Sequence, residues 1–580
     1  MKRIVFFLTS IVLAAAVFLN TGVTAMILCG DAFEDGVLNN KDVVTLFRFV
    51  SGDKTDASEK NCDFNDDGVV NNKDVASLFR AVSSGNVSYV TKEEPEEFVI
   101  VPDAGATLSV SHVFGDFMVI QRDQQIKVWG TSNRNGAKIR GTFMGKEARG
   151  TVADGKWEIV FPPQSASRVP QKLTVEDSCG NSVTISEILV GDVWLINGQS
   201  NAEQPNTDAF ELIAKVVDNP GKPLRLFQEG ALYVINNLDE AANPCEDTVN
   251  RGEWYWRKAN RYGGYTASAL GWHFGNTLVD ETGIPIGIIS IAASGAYLAE
   301  LMPADLASSL GYGANYSYTN YGTGRFYNAL THPFLKLKFK GMIFFQGESE
   351  SGRDATAANY KRDFEAYMAE LRSRWGFDFP IYNVQLCDYT SKAETEYGWS
   401  NVGYIRAQQY GAYKEMTGIR LIPSYDLGAD EGYGNYAHSP YKEELADRVA
   451  KLALADIYGI GTADEALAPE PVSVTVVNSS SSSRTINVKF KNVGDGLTTT
   501  NNSTTVKGFT YGRNASPKSC TAVSATIISN DTVQMTVSRN YVSTYCKYIG
   551  YACKNNVPKT DAKLINSYGI PALAFWLPVN

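Results

Sequence analysis

Five short runs between residues 190 and 464 constrain the fold more than any other feature of the chain: VWLIN, IGIISIA, GMIFFQG, IYNVQL and RLIPSYDL. They are apolar throughout rather than at alternate positions, the pattern of strands covered on both faces. Stretches at helical spacing, such as 357–375, lie between them. An α/β three-layer domain with a parallel sheet is therefore expected over 190–464. Open sheets of this kind present ligands at the carboxyl ends of their strands. Three runs end there on small or polar residues: Gln199-Ser200-Asn201, Ser294-Gly295-Ala296 and Gln346-Gly347-Glu348-Ser349-Glu350.

Each of these ends has a chemical and a structural reading. Ser200, at a Gly-flanked strand-to-helix turn, suits a nucleophile or a helix cap. The turn at Gly295 lets backbone N–H groups approach a ligand, or lets a strand and helix pack closely. Gln346 supplies an amide, followed by two carboxylates. The chain has four histidines, His112, His273, His332 and His438, which excludes a His-rich metal centre. His438 precedes a helix-like stretch late in the domain and is the candidate general base. His112 lies outside the α/β region, His273 falls in a helical stretch, and His332 in NALTHP reads as structural.

Alternating apolar runs (FMVIQ, IKVWG, KWEIVF, KLTVED, VTISEI) between Gly, Asn and Asp turns predict a β-sandwich over 106–189. VSVTVV, TINVKF, VQMTVS and ALAFWL predict a second over 465–580, where a local Cys546–Cys553 bridge stays open. With 53 basic and 63 acidic residues the net charge is −10, and no Lys/Arg cluster offsets it, so a nucleic-acid partner is not expected. Lys2-Arg3, the uncharged Ile4–Phe18 and Val23-Thr24-Ala25 read as a secretory signal, 1–25. No later run approaches the ~20 apolar residues that span a bilayer, so a secreted protein with no membrane partner after cleavage is expected.

Residues 31–50, DAFEDGVLNNKDVVTLFRFV, return at a spacing of 32 as DFNDDGVVNNKDVASLFRAV, 63–82. Each copy carries the oxygen pattern of a calcium loop, with Gly at position 6 for the sharp turn. In the second copy the ligands are Asp63, Asn65, Asp67, the Val69 carbonyl, Asn71 and Asp74. In the first they are Asp31, Asp35, the Val37 carbonyl, Asn39 and Asp42, while Phe33 replaces a ligand and predicts weaker binding. Each loop runs into one amphipathic helix, 43–50 and 75–82. TKEEPEE marks a linker over 87–105.

The repeat resembles a dockerin over 27–86, a small α calcium-binding module that plugs cellulosomal enzymes into cohesin domains of a scaffoldin. The resemblance implies structural calcium, a cohesin partner and a place in an extracellular or cell-surface cellulosome. It also implies that Asn40-Lys41 with Phe47-Arg48, and Asn72-Lys73 with Phe79-Arg80, form two near-symmetric cohesin-facing surfaces. Core packing between the helices is the alternative for Phe47 and Phe79.

GDVWLINGQSN, the SGA turn, FFQGESE and AHSPYKEELADRVA together resemble the sialate O-acetylesterase-like carbohydrate esterases of the SGNH hydrolase superfamily. FGDFMVIQRDQQIKVWG, RFYNALTHPFLKLKFKG and LINSYGIPALAFWL extend the likeness to about 107–580. It implies a flavodoxin-like catalytic domain that uses no cofactor for catalysis. Ser200 matches the nucleophile and His438 the base; the Ser200 and Gly295 N–H groups and the Gln346 side chain match the oxyanion hole. Glu203 and Glu348 fall on shared letters without an assigned role. The family places Asp before the His and Pro after it, where this chain has Asn435, Tyr436 and Ser439. Asn435 offers His438 only a neutral amide oxygen, which orients the ring but stabilises the imidazolium poorly; Asp426, Asp430, Glu348 and a backbone carbonyl are the other acceptors. Asp426, directly after the strand-like 420–425, is the preferred choice. With a dockerin attached, the expected substrate is an acetylated polysaccharide or oligosaccharide of the plant cell wall, xylan or pectin. The alternatives are a sialate esterase and a catalytically degenerate carbohydrate-binding or structural component. A lipase-type α/β-hydrolase would want Gly at Ala202.

Overall fold

The computed structural model describes residues 26–33, 38–53, 55, 57, 61–65, 69–84, 90–93, 98–208, 210–228, 240–248, 255–317, 319, 321–389, 398, 400–428, 437–554 and 563–579. They divide into two compact units, one up to Gly105 with Asp177–Gly180 and one from Ala106 onward. The signal-like 1–25 lies outside the described residues.

The smaller unit is built on helices α1 (Asn40–Val50) and α2 (Asn72–Ser84). Both begin earlier than their apolar spacing predicts, because each is capped by the loop before it. The Asn39 Oδ1 accepts from Lys41 N at 2.8 Å, and Asn71 Oδ1 accepts from Lys73 N at 2.8 Å. The buried Asp42 and Asp74 accept from Asn39 N and Asn71 N, also at 2.8 Å each. The sequence repeat is thus a structural one, bond for bond. Leu46 and Leu78 pack with Ala32, Leu38 and Cys62 in its core. Phe47 and Phe79 do not: each is 54% exposed. Val90–Glu93, expected in a linker, pairs antiparallel with Met26–Cys29.

The larger unit is organised by one sheet, whose central strands we number in chain order. They are β1 (Ser182–Gly198), β2 (Leu224–Gln228), β3 (Trp256–Lys258), β4 (Ile286–Ser290), β5 (Gly341–Phe345), β6 (Ile381–Val384) and β7 (Ile419–Ile422). Their spatial order is β3-β2-β4-β1-β5-β6-β7, with only β3 antiparallel to its neighbour. The run β4-β1-β5-β6-β7 has the 2-1-3-4-5 order of flavodoxin-like sheets. Helices α4 (Ala269–Thr282), α5 (Asp354–Trp375), α6 (Val402–Glu415) and α7 (Lys442–Ala453) cover it; α3 (Ser200–Glu203) is a single turn. Adjacent strand residues face opposite ways. Phe344 meets Phe364 of α5, ring centroids 5.5 Å apart, whereas Phe345 lies under Lys442 of α7. This explains why the runs are apolar throughout.

The boundary expected at 189/190 falls inside β1. Its first half pairs with the sandwich strand Ser167–Asp177, and its second half is the centre of the α/β sheet. At the changeover Arg122 grips the wholly buried Asp192 through Nε and Nη2, at 3.0 and 3.1 Å. The C-terminal β domain is keyed to β6 and α6 just as closely. Gln385 exchanges two bonds with the Ala574 backbone, both 2.9 Å. Cys546 and Cys553 in this domain are separate buried thiols, so the local bridge does not form.

Arg406 is the most committed side chain of this junction. Fully buried, it donates to Leu386 O, Cys387 O and Asp388 on one side, and to Ala552 O and Lys554 O on the other. Arg406→Ala would leave a buried carboxylate and several carbonyls without their donor, a loss of about 3–5 kcal/mol. Urea unfolding of the variant should show this; a change below about 1 kcal/mol would contradict it.

Candidate active site

The polar turns predicted at the strand ends converge because β4, β1 and β5 are neighbours. Here the chain order changes direction, leaving a crevice at the carboxyl edge. The approach is unusually close at Gly198, whose φ is +133°. A Cβ there would stand 2.0 Å from Phe345 O, so only glycine lets Gln199 N reach that carbonyl, at 3.0 Å.

From this point Gln199 knits β1 to β5. Its Oε1 accepts from Gln346 Nε2, Gly347 N and Ser349 N, each at 3.3 Å. Gln346 reaches onward to Ala296 O behind β4 at 3.2 Å, and to the Glu350 carboxyl. It is completely buried. Its amide donor is therefore spent on the three strand ends, and the expectation of a third oxyanion donor is corrected: Gln346 ties the framework together. Burial raises Glu350 to about 8, despite its bonds from Leu298 N and Gln346.

Ser200 opens the turn α3, where first-turn N–H groups have no intrahelical acceptor. Gly295 adopts a φ of +73° in the neighbouring turn. Among the described residues neither the Ser200 nor the Gly295 N–H donates to a backbone carbonyl. The Gly295 turn is fixed from both sides. Glu203 Oε2 accepts from Ser294 N and Oγ at 2.7 and 2.6 Å, and Gly295 O accepts from Ser349 Oγ at 2.8 Å. These bonds give Glu203 a definite place: it joins α3 to the Gly295 turn.

His438 comes to the same edge from the far end of the domain. The neighbouring Asn201 donates through Nδ2 to Ala437 O at 3.2 Å, and Ser439 N donates to Asn201 Oδ1 at 3.3 Å. The residues on both sides of His438 are thus bonded to the residue beside Ser200. Burial, together with the charge of Lys442, lowers His438 to about 4, so the imidazole is neutral at neutral pH. Asp426 does not orient it: both carboxylate oxygens are taken by Arg448 of α7. Glu348 instead accepts from Asn201 Nδ2 at 2.7 Å and from Tyr389 Oη at 2.8 Å. Asp430 and Asn435 lie outside the described residues. The remaining histidines are elsewhere: His112 on Asp247, His332 on Cys245 O, and His273 buried in α4.

Asn201, Lys442 and Tyr389 are the members of the site that sequence reasoning missed. Asn201 had a signal in its position directly after Ser200. Lys442 had none, since a lysine opening an amphipathic helix reads as solvated.

The Ser200 turn, the Gly295 turn and the His438 segment meet at one edge of the sheet, and the match of this region to a carbohydrate esterase family makes the protein a carboxylic ester hydrolase. Residues 190–454 match the family model described as carbohydrate esterase, sialic acid-specific acetylesterase, and the chain resembles the sialate O-acetylesterases. It is 23% identical to mouse sialate O-acetylesterase over 421 residues, covering 61% of this chain and 74% of the relative. It is 23% identical to the human protein over 346 residues, covering 55% and 64%. A solved carbohydrate acetylesterase from Xanthomonas citri shares the fold, with a TM-score of 0.66 at 24% identity, over 81% of this chain and 99% of that one.

Removing Glu203 frees the Gly295 turn from its carboxylate. Hydrogen bonds to charged groups contribute about 1.5–3 kcal/mol. Glu203→Ala should therefore lower kcat on an aryl acetate about tenfold or more while the circular dichroism spectrum is kept; an unchanged kcat would contradict this role.

Proposed function

We propose that the enzyme removes O-acetyl groups from carbohydrate through Ser200 as nucleophile and His438 as general base. The observation that carries the reading is the convergence of the Ser200 turn, the Gly295 turn and the His438 segment at one sheet edge. The neutral imidazole takes the Ser200 Oγ proton as Oγ attacks the acetyl carbonyl. The Ser200 and Gly295 N–H groups hold the oxyanion. Collapse of the tetrahedral intermediate breaks the bond to the sugar oxygen, which leaves with the proton from His438. Water, deprotonated by the same imidazole, then releases acetate and restores the serine.

The dockerin-like repeat directs the choice of substrate towards an acetylated plant cell-wall polysaccharide, xylan or pectin. We infer a secreted enzyme, docked through a cohesin by the exposed Phe47 and Phe79 faces. A sialate ester is the second reading, favoured by the names of the matched relatives. The loop residues suit calcium, a hard cation bound by carboxylate and carbonyl oxygens. Asp31, Asn39 and Asp42 would hold one ion, and Asp63, Asn65, the Val69 carbonyl, Asn71 and Asp74 the other. Asp35, Val37 and Asp67 lie outside the described residues.

Ser200→Ala should abolish acetate release from acetylated xylan and pectin, because a single buried hydroxyl contributes little to packing. Retention of activity would sink the mechanism. The pH profile is a separate check. A base whose folded value is lowered to about 4 stays neutral down to that pH. The acid limb of kcat/KM should therefore fall well below pH 6.5, the ordinary histidine value. A limb at 6.5 or above would contradict the buried setting of His438. For calcium, titration calorimetry of the full chain should resolve two unequal sites, the weaker one damaged by Asp31→Ala and the stronger by Asp63→Ala. Equal affinities would contradict the effect assigned to Phe33.

A further inference from the structure

The Asn201 carboxamide is wholly buried, and all its partners are of one kind at each end. Its oxygen receives Lys442 Nζ at 2.5 Å and Ser439 N at 3.3 Å, which can only donate. Its nitrogen gives to Glu348 Oε1 at 2.7 Å and Ala437 O at 3.2 Å, with Tyr389 Oη at 3.3 Å. Ammonium and peptide N–H at one end, carboxyl and carbonyl at the other, fix which way the amide points. Lys442 is itself fully buried, its Nζ over the Phe345 ring at 5.5 Å from the centroid. A buried ammonium costs several kcal/mol unless well partnered, so a lysine on a helix's first turn needs a reason to face inward.

We propose that Asn201 is the positioning residue for the general base: locked in orientation by Lys442 and Glu348, it clamps the backbone on both sides of His438 to the Ser200 turn. This rests on the Ser200–His438 reading and deepens it. The clamp acts through the main chain of Ala437 and Ser439, so it operates whichever group accepts from the imidazole. The family pattern's Asp before the histidine is replaced in this chain, and the fixed backbone supplies placement that a motif carboxylate would otherwise share. Lys442 has a second effect, because its positive charge opposes protonation of His438. Among the described residues, the other titratable or charged groups around the clamp are Glu348 behind β5, Cys387 and Tyr389 behind β6, and the Arg406–Asp388 pair. Burial raises Glu348, Cys387 and Tyr389, which favours their uncharged forms, and among the described residues Lys442 is the charge that adds to burial in lowering the imidazole.

The test uses the full chain, an aryl acetate and three variants, with melting temperature measured on each. Asn201→Ala should lower kcat by about 100-fold with KM changed less than threefold, since placement of the base rather than substrate binding is lost. Asn201→Asp keeps the acceptor for Lys442 and Ser439 but sets a carboxylate beside the His438 segment. Lys442→Met removes the ammonium. Both should move the acid limb of kcat/KM upward, towards the ordinary histidine value. A purely structural role would lower melting temperature and activity without moving that limb, and would overturn the proposal, as would a wild-type kcat in Asn201→Ala. If instead Ser200→Ala stays active, the underlying reading fails, and that outcome is distinct from the others.

Discussion

The close approach of β1 to β5 at Gly198 is the constraint on which the site depends. Because no side chain intervenes, Gln199 lies within reach of the β5 turn, and Gln346 within reach of both Gln199 and the β4 turn. The strand ends then form one buried polar framework, and Ser200 leaves it in a fixed direction. The framework is expensive to desolvate, and the bonds among Gln199, Gln346 and Glu350 offset part of that cost and hold the three strand ends together. Glu350, raised to about 8 by burial, sits at its base. An acid whose folded value is raised loses stabilising effect as pH climbs from its unfolded value towards the folded one, so this framework is weakest in alkali.

Around that centre the flanking domains act as braces rather than appendages. β1 enters from the N-terminal sandwich as a continuous strand, with Asp192 anchored by Arg122. On the far side Arg406 and Gln385 bond the C-terminal β domain to the ends of β6 and α6. Asp388 pairs with Arg406 directly before Tyr389, which bonds Glu348 of the clamp. Packing at the C-terminal junction thus reaches the residues that place His438 through two short links.

Much of this was legible in the sequence, and the parts that were not share a cause. Uniformly apolar runs mark the parallel strands, and the polar residues after three of them mark the turns that the sheet brings together, because burial on both faces leaves polar groups nowhere but the ends. The calcium-like loops were visible as a repeat. The domain boundary at 189/190 was misplaced because alternation and uniform burial meet inside one strand, where composition changes without a break in the chain. The partners of Gln346 and Asp426 are not legible in the sequence for another reason. An amide or carboxylate near a site can point into it or into the framework, and only the positions of Glu350 and Arg448 decide which. Lys442 was invisible because helical spacing does not reveal a buried charge.

In the proposed mechanism Ser200 carries the acetyl group during turnover. Mixing the enzyme with an aryl acetate, quenching in acid within the first turnover and sequencing the peptides by mass spectrometry tests it directly. One acetyl group, on Ser200, is expected, formed rapidly and lost on standing at neutral pH. Turnover with no acetyl group on Ser200, or with one on another residue, would contradict it.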